Sequence, residues 1–381
     1  MPAEIILTNA RLVTADRVIK GTLVIRDGLI AEVEEGRSHL SQAQDLNGEH
    51  LLPGLIELHT DNLEKHMSPR PGVDWPSASA VLTHDAQIIA AGITTVFDAL
   101  SIGDIKPGSQ RMQQLPAMLE AIANASEAGD TRAEHRLHLR CEVCHPDVLS
   151  LFRDLVEHPL VQLVSVMDHS PGQRQFALED KYREYYKGKY QLNDEQMDAF
   201  TQEQKVNSRM YSDRHRRAVV EECQARGLAL ASHDDATLAH AQESAAFGMS
   251  IAEFPTTLEA ARASHELGMK VLMGAPNIVR GGSHSGNIAA AELAVAGVLD
   301  ILSSDYYPAS LLQAALMLAE QDNDYDLPRA VATVSRLPAQ AAGLVDRGEI
   351  RVGLRADLLQ TRIQSSQPLI RQVWREGRRV F

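Results

Sequence analysis

The sequence predicts an α/β protein, a (β/α)8 TIM-like barrel with a small β-sandwich domain formed by both chain termini. In the middle of the chain, short apolar runs of strand length alternate with helical segments, and this alternation is typical of a parallel sheet closed into a barrel. Both ends instead carry short strands separated by turn signals. For the 381 residues we predict that 1–50 and 350–381 form the sandwich and 51–349 form the barrel.

The predicted terminal strands are short and apolar. Ile5-Ile6-Leu7 and Leu23-Val24-Ile25 precede Asp27-Gly28, a dipeptide that favours a tight hairpin turn. Near the other end, the run at 370–374 and the final Gly377-Arg-Arg-Val-Phe have the same character. We therefore expect the two ends to complete one small sheet domain.

Eight strands are predicted for the barrel. The first lies within 51–61, and the others lie at 95–99, 136–142, 161–169, 228–233, 251–254, 271–274 and 301–305. Helical segments such as 112–128 and 289–296 separate them. In such a barrel the functional groups gather at the C-terminal ends of the strands.

Charge and composition restrict the function. The chain has 37 basic and 51 acidic residues, and its net charge of -14 argues against nonspecific nucleic-acid binding. No run approaches the ~20 apolar residues of a membrane span, and the first residues do not resemble a secretory leader. We expect a cytoplasmic protein without membrane contact. The three cysteines predict no disulfide framework. Cys141 and Cys144 form a single Cys-x-x-Cys motif, which is more typical of structural thiols than of a zinc or redox site.

The first barrel strand ends in an imidazole and a carboxylate. Glu57, His59 and Asp61 share parity, so in an extended strand they project from one face. A histidine beside an aspartate suits zinc, manganese or iron. Alone, the pair is also typical of a strand that runs into a polar loop.

Other strand ends repeat the pattern. His169, His233 and Asp305 each end a predicted strand, and Glu142 ends the strand whose polar face also carries His138 and Arg140. Because the C-terminal ends of barrel strands meet, these groups are expected to converge. The predicted metal ligands are His59, Asp61, Glu142, His169, His233 and Asp305.

These motifs resemble the amidohydrolase superfamily of metal-dependent hydrolases. Pro53-Gly54, His59-x-Asp61 and Gly353-Leu-Arg-Ala-Asp357 carry the resemblance. It implies a divalent metal, zinc by expectation, with one or two ions. It also implies that Glu142 replaces the bridging carboxylated lysine of many relatives and that Asp61 stands where they place a second histidine.

Longer stretches, including 167–176 and 275–286, are similar to one branch of that superfamily over nearly the whole chain. This branch acts in the carbon-phosphorus lyase pathway of phosphonate metabolism. The resemblance implies a small-molecule phosphorylated sugar phosphonate as the partner. Its ribose 5-triphosphate would be hydrolysed to the 5-phosphate with release of pyrophosphate.

A triphosphate needs cations around it, and arginine binds phosphate through paired donors. The predicted substrate-binding residues are Lys65, Arg70, Arg140, Arg174, Arg280 and His284. Arg280 and His284 flank a glycine pair that could offer backbone amides to phosphate, although an ordinary strand-to-helix connection has the same appearance. Asp305 is the expected catalytic residue, accepting a proton from the attacking water.

The segment 170–217 is too long for a simple loop and is rich in tyrosine and charge. We predict a helical insertion that is either a lid over the barrel mouth or a solvated hairpin used for packing or oligomer contacts. Whether the chain forms a homo-oligomer stays open. Two other functions also stay open: a cyclic amide hydrolase or deaminase with the same ligands, and a noncatalytic assembly subunit.

Overall fold

The computed structural model describes residues 4–104, 109–176, 179–283, 286–321 and 323–381. Strands of the first part are β1 Ile5–Val13, β2 Val18–Arg26, β3 Leu29–Glu35, β4 Gln44–Asp45 and β5 His50–Pro53. The next eight are β6 Leu55–Thr60, β7 Ile93–Ile102, β8 Glu134–Glu142, β9 Val161–Met167, β10 Ala229–His233, β11 Ile251–Glu253, β12 Lys270–Gly274 and β13 Ile301–Ser303. The last three are β14 Leu358–Gln364, β15 Gln367–Arg375 and β16 Arg378–Arg379.

The described helices lie mainly between barrel strands. The first seven are α1 Asn62–Met67, α2 Ser77–Ala90, α3 Gln110–Glu127, α4 Val148–Leu155, α5 Glu179–Tyr190, α6 Asp194–Asn207 and α7 Asp213–Arg226. The others are α8 Leu238–Ala246, α9 Leu258–Glu266, α10 Ala275–Arg280, α11 Ala290–Val295, α12 Ser310–Glu320, α13 Leu327–Ala332 and α14 Arg336–Ala341. None of the helices in the described part of the chain is long and apolar enough to cross a membrane.

Strands β6 to β13 form one parallel sheet in chain order, with helices between them. The first and last strands meet through a parallel bridge between Thr60 and Asp305. Ser303 Oγ strengthens this seam, lying 2.7 Å from Glu57 Oε1 and 2.6 Å from the His59 carbonyl oxygen. The predicted barrel is therefore confirmed.

The strands from both chain ends form a second sheet, in the order β16-β15-β14-β5-β1-β2-β3, with β4 beside β1. This sheet curls so that Ile30 donates its amide hydrogen to the Leu354 carbonyl oxygen, and Trp374 lies buried among Leu7, Leu23 and Leu358. The predicted small domain from both termini is thus present, while the exact limits given above stay a prediction.

Gly54 separates the two sheets within the opening apolar run. The sequence predicts one strand within this run. In the structure the run forms two strands: β5 pairs with β14 of the terminal sheet, and β6 pairs with β7 of the barrel. A Cβ at Gly54 would lie 2.3 Å from Thr94 Oγ1, so a glycine is required where the chain crosses between sheets.

Two predicted strands end earlier than expected. The regular strands within the runs 161–169 and 301–305 end at Met167 and Ser303, and Asp305 beyond them keeps the isolated bridge to Thr60. The polar residues that follow leave the sheet and turn towards the barrel mouth, and Asp305 has a φ of 53°. A buried apolar cluster with members from seven of the eight strands fills the barrel beneath them.

Candidate active site

A cavity of about 460 Å³ opens at the C-terminal ends of the barrel strands. All six predicted metal ligands line it: His59, Asp61, Glu142, His169, His233 and Asp305. The assignment of each as a ligand stays a prediction. Their convergence follows from the parallel sheet, which brings every strand end to the same mouth.

Three non-glycine residues at this mouth have left-handed backbone conformations. Asp234, Phe254 and Asp305 have φ values of 58°, 51° and 53°. Aspartate tolerates this region better than most residues, whereas a bulky phenylalanine is seldom found there. Such conformations persist where surrounding contacts over-determine them, and they cluster at functional sites.

One buried carboxylate contacts two of the cavity histidines. Glu253 Oε1 lies 3.0 Å from His59 Nδ1, and Glu253 Oε2 lies 3.2 Å from His233 Nδ1. Burial disfavours the charge on Glu253, but the neighbouring His59 and His138 outweigh it and hold the pKa of Glu253 well below its usual range. An ionised Glu253 accepts a hydrogen from each Nδ1, which leaves each Nε2 with a lone pair. The two rings are stacked with centroids 5.6 Å apart.

His138 lies beside this group but has both ring nitrogens engaged. Its Nδ1 lies 3.0 Å from the Leu58 carbonyl oxygen, and its Nε2 lies 2.8 Å from Ser165 Oγ. Burial lowers the pKa of His138 to about 3, so the ring is neutral. A neutral ring with two hydrogen-bond partners supports the barrel interior and offers no free lone pair to the cavity.

His169 is oriented by Glu142. The Glu142 Oε2 to His169 Nδ1 distance is 2.5 Å, and Glu142 Oε1 accepts the His169 backbone amide hydrogen at 2.9 Å. On the other side of the ring, Nε2 lies 3.5 Å from Asp234 Oδ2. Burial opposes protonation of His169, but Glu142 and Asp234 outweigh it and raise the pKa of His169 to about 10. Both Glu142 oxygens thus contact His169 in this geometry.

Asp61 follows the first barrel strand, β6, and Asp305 follows the last, β13. Burial raises the pKa of the Asp305 carboxyl to about 7, the nearby Asp61 adds to the rise, and Arg140 opposes it. Asp61 occupies the N-cap position of α1 without a capping side-chain hydrogen bond and lies 3.7 Å from Arg111, which also contacts Glu64 at 2.7 Å. The pair places a high negative charge density at the seam of the barrel.

The predicted substrate contacts divide into three groups. Arg140 and Arg280 line the cavity, and the buried Arg140 Nε has no hydrogen-bond partner among the described residues. Lys65, Arg70 and Arg174 do not line the cavity. His284 lies outside the described residues.

Arg174 is held inside the protein. It is 3% exposed and pairs with Asp235 and with Glu243, the latter at 2.9 Å. Lys65 contacts the carbonyl oxygen of Tyr306 and lies 5.1 Å from the centre of that ring. Both cations have partners within the chain that the sequence pattern does not reveal.

Several cavity residues are absent from the sequence-based set. They are Asp104, Arg111, Tyr185, Tyr186, Lys189, Tyr190 and Asp234. Glu253 is also missing; it lies one residue before the end of the predicted strand 251–254 and ends the observed β11. Lys189 and the tyrosines carry no comparable signal, because they lie on an insertion whose placement over the barrel the sequence does not specify.

The donor set fits a divalent metal. Ligand atoms of His169, His233 and Asp234 all lie within 4.8 Å of one another. Those of His59, His138 and Glu253 do so too, but the hydrogen bonds of His138 and Glu253 leave His59 as the candidate ligand of that group. Imidazoles with carboxylate-bound Nδ1 atoms, next to aspartates, are typical of zinc and related transition metals. Carboxylates, basic residues and oriented imidazoles around one cavity suit hydrolysis of an anionic substrate.

A parallel barrel with these oriented histidines and carboxylates at its mouth defines the class of metal-dependent barrel hydrolases. The chain belongs to the amidohydrolase family, whose sequence profile matches residues 90–381. It is 55% identical over 377 residues to the alpha-D-ribose 1-methylphosphonate 5-triphosphate diphosphatase of Escherichia coli strain K12, covering 99% of this chain and 100% of that protein.

Solved structures with the same fold are much more distant in sequence. The 5-methylcytosine deaminase of Klebsiella pneumoniae, liganded with phosphonocytosine, has a TM-score of 0.66 at 18% identity, covering 99% of this chain and 98% of the other. Molinate hydrolase has a TM-score of 0.66 at 13% identity, covering 99% and 94%. At these identities the similarity shows a shared fold alone.

Proposed function

We propose that this chain hydrolyses the 5-triphosphate of alpha-D-ribose 1-methylphosphonate 5-triphosphate, giving the 5-phosphate and pyrophosphate. The observation that carries the proposal is the 55% identity to the Escherichia coli diphosphatase along the full length of both chains. The cavity supports it, because cationic side chains from four different elements line it together with the histidines and aspartates. A cytoplasmic location fits an enzyme of phosphonate metabolism.

We propose zinc as the metal, as one or two ions, bound by residues of the set His59, Asp61, Glu142, His169, His233 and Asp305. The lone pairs left on His59 and His233 by their Glu253 contacts support this assignment. A divalent ion supplies Lewis-acid polarisation of a phosphoryl oxygen and lowers the pKa of water.

The chain's own side chains supply the remaining steps. Arg140 and Arg280 bind the phosphate oxygens and stabilise the charge that develops on the leaving pyrophosphate. Asp305, half-buried in the cavity wall, accepts the proton of the attacking water. Glu253 keeps His59 and His233 in one orientation, so the geometry is set before substrate binds.

The test is a product assay on purified protein. Pyrophosphate and the ribose 5-phosphate product should form in equal amounts from the triphosphate, and a chelator should stop the reaction until zinc is restored. Hydrolysis in ¹⁸O-water shows which phosphorus is attacked. Asp305→Asn should abolish pyrophosphate release while the circular dichroism spectrum stays unchanged.

Two outcomes would contradict the proposal. Ammonia release from cyclic amides without any pyrophosphate release would assign the chain to amide hydrolysis. A protein that contains no metal after purification and shows no turnover with added zinc would be a noncatalytic member of the family. Full turnover by Asp305→Asn would remove Asp305 from the proton transfer.

A further inference from the structure

Helices α5 and α6 of the insertion contain one basic residue whose surroundings differ from those of the other four in these two helices. Helices α5 and α6 carry five basic residues, and four of them have carboxylate partners: Lys181 with Glu184, Arg183 with Asp198, Lys187 with Asp194, and Lys205 with Glu179. Lys189 has no carboxylate at ion-pair distance among the described residues. Three of these pairs link α5 to α6 and the fourth lies within α5, so Lys189 is the one cation of the two helices that these pairs leave available.

Lys189 lies at the active-site cavity. It lines the same space as the histidines and Asp305, whereas Lys187, two residues earlier, does not. Its Nζ lies 5.5 Å, 5.7 Å and 5.5 Å from the ring centres of Tyr185, Tyr186 and Tyr190. Three rings at this distance favour a charged ammonium and restrict where its side chain can reach.

The insertion is anchored next to the proposed metal ligands. Tyr182 and Tyr186 are buried in an aromatic cluster with Phe176, and the Phe176 ring centre lies 6.3 Å from that of His169. Lys189 is therefore held at a defined position relative to the strand end that carries His169. A cation fixed in this way can recognise a group at one set distance from the reacting phosphate.

Besides its triphosphate, the proposed substrate has a second anionic group, the methylphosphonate, and the chemistry of that group matches this position. A methylphosphonate ester on ribose C1 presents one negative charge and one methyl group. An ammonium ion satisfies the charge, and a wall of tyrosine rings suits the methyl group. The cations proposed for the triphosphate, Arg140 and Arg280, come from β8 and α10, which are different elements.

We propose that Lys189, with the rings of Tyr185 and Tyr190, binds the methylphosphonate group and so selects this substrate over other triphosphates. This inference rests on the function proposed above. It separates two tasks within one cavity. The barrel strands and α10 bind the group that reacts, and the insertion recognises the opposite end of the sugar.

Steady-state kinetics on two substrates tests the proposal. One is the triphosphate with the C1 methylphosphonate, and the other is ribose 5-triphosphate, which lacks it. Lys189→Met should raise KM for the first roughly tenfold to a hundredfold, the cost of one charge-assisted contact. Its KM for ribose 5-triphosphate and both kcat values should stay close to wild type. Lys189→Arg should recover most of the lost affinity.

Lys187→Met is the matched control, because Lys187 is on the same helix but pairs with Asp194 outside the cavity. It should behave as wild type with both substrates. An equal loss on both substrates for Lys189→Met would place Lys189 at the triphosphate or in lid packing and would overturn the proposal. An unchanged KM on both would also overturn it.

Failure of the proposed function would give a different result. In that case the wild type would release pyrophosphate from neither compound. Calorimetric titration with ribose 1-methylphosphonate 5-phosphate then measures directly how much Lys189 contributes to binding. Binding to wild type that Lys189→Met loses would support the contact, and equal affinities or no binding to either protein would overturn it.

Discussion

At the residue scale, the site depends on carboxylates that orient histidines. Glu253 contacts His59 and His233, and Glu142 contacts His169 in the same manner. An imidazole held through Nδ1 presents Nε2 in one direction, which removes the conformational cost of arranging it when a metal binds. We therefore expect these carboxylates, like the histidines, to affect metal affinity.

Glu253→Gln tests this orientation. Glutamine has the same shape but keeps only one acceptor oxygen, so it cannot accept hydrogens from both Nδ1 atoms. We expect metal affinity to fall roughly 10- to 100-fold, as for other residues that support metal ligands. Competition titration against a metal chelator measures it, and the exposed Glu259→Gln on α9 is the control. Unchanged affinity in Glu253→Gln would show that the contact does not orient the histidines.

The sequence predicts such residues unevenly. His59, His233 and Asp305 follow apolar strands directly, and the barrel rule brings strand ends together without further information. Arg174 also lies close after a predicted strand end, yet it is buried against Asp235 because the loop folds inward. A cation can either point into the cavity or pair with a carboxylate of the chain. Tertiary contacts decide between the two, and the periodicity of the sequence does not predict them.

At the element scale, the passage between the two sheets is closely packed. Gly54 joins β5 to β6, and its amide donates to the Asp357 carbonyl oxygen at 2.7 Å. Thr94 packs against its Cα, with its Oγ1 2.3 Å from the position a Cβ would take. The chain can leave one sheet and start the other only because this residue has no side chain.

Gly54→Ala should therefore destabilise the protein by about 1–3 kcal/mol through overpacking. Gly188→Ala is the contrasting variant, since a Cβ at Gly188 in α5 meets no atom within 4 Å. It should stabilise by roughly 0.5–1 kcal/mol, as usual in a helix interior. Urea unfolding measures both changes. A stability loss for Gly54→Ala no larger than for Gly188→Ala would contradict the packing argument.

The elements themselves follow closely from the sequence, and their placement follows less well. Alternating strand and helix patterns predict β6 to β13, and the observed ends differ by a few residues where polar groups leave the sheet. The insertion is predicted as helical from its length and charge, and α5 and α6 lie within it. Its position over the cavity arises from the aromatic cluster around Tyr182, whose long-range packing the sequence does not reveal.

At the scale of the whole molecule, a net charge of -14 coexists with a cavity that contains several cations. Some exposed basic residues pair with acidic residues outside the cavity, as Arg153 does with Glu222 and Arg217 does with Asp213. Within the cavity, Arg140, Arg280 and Lys189 have no carboxylate at ion-pair distance among the described residues, so their charge is available to an anionic substrate. Overall composition excludes broad classes of partner, while local pairing determines where an anion is attracted.

A buried charge network on the outer side of the barrel links whole-protein stability to pH. His135 Nδ1 lies 2.7 Å from Asp98 Oδ2, and its Nε2 lies 3.4 Å from Asp85 Oδ1. His84 contacts the other oxygen of Asp98 at 2.7 Å, and Arg132 contacts Asp85 at 3.1 Å. Burial opposes protonation of His135, but Asp98 and Asp85 outweigh it and raise the pKa of His135 to about 9.

A pKa raised on folding stabilises the protein while the group stays protonated. An unfolded histidine has a pKa of about 6.5. Below that value the contribution of His135 is complete, and it is lost as pH rises through about 9. We expect this one group to remove about 1–3 kcal/mol of stability between pH 7 and pH 10.

The measurement compares urea unfolding of wild type and His135→Gln at both pH values, which cancels the alkaline titration of other groups. The advantage of wild type over the variant should shrink by that amount at pH 10. A difference that is the same at pH 7 and pH 10 would show that His135 is not charged in the folded protein. If His135→Gln fails to fold, the imidazole NMR signal of His135 in wild type replaces the comparison. That signal should titrate near pH 9, and a midpoint near 6.5 would refute the charged network.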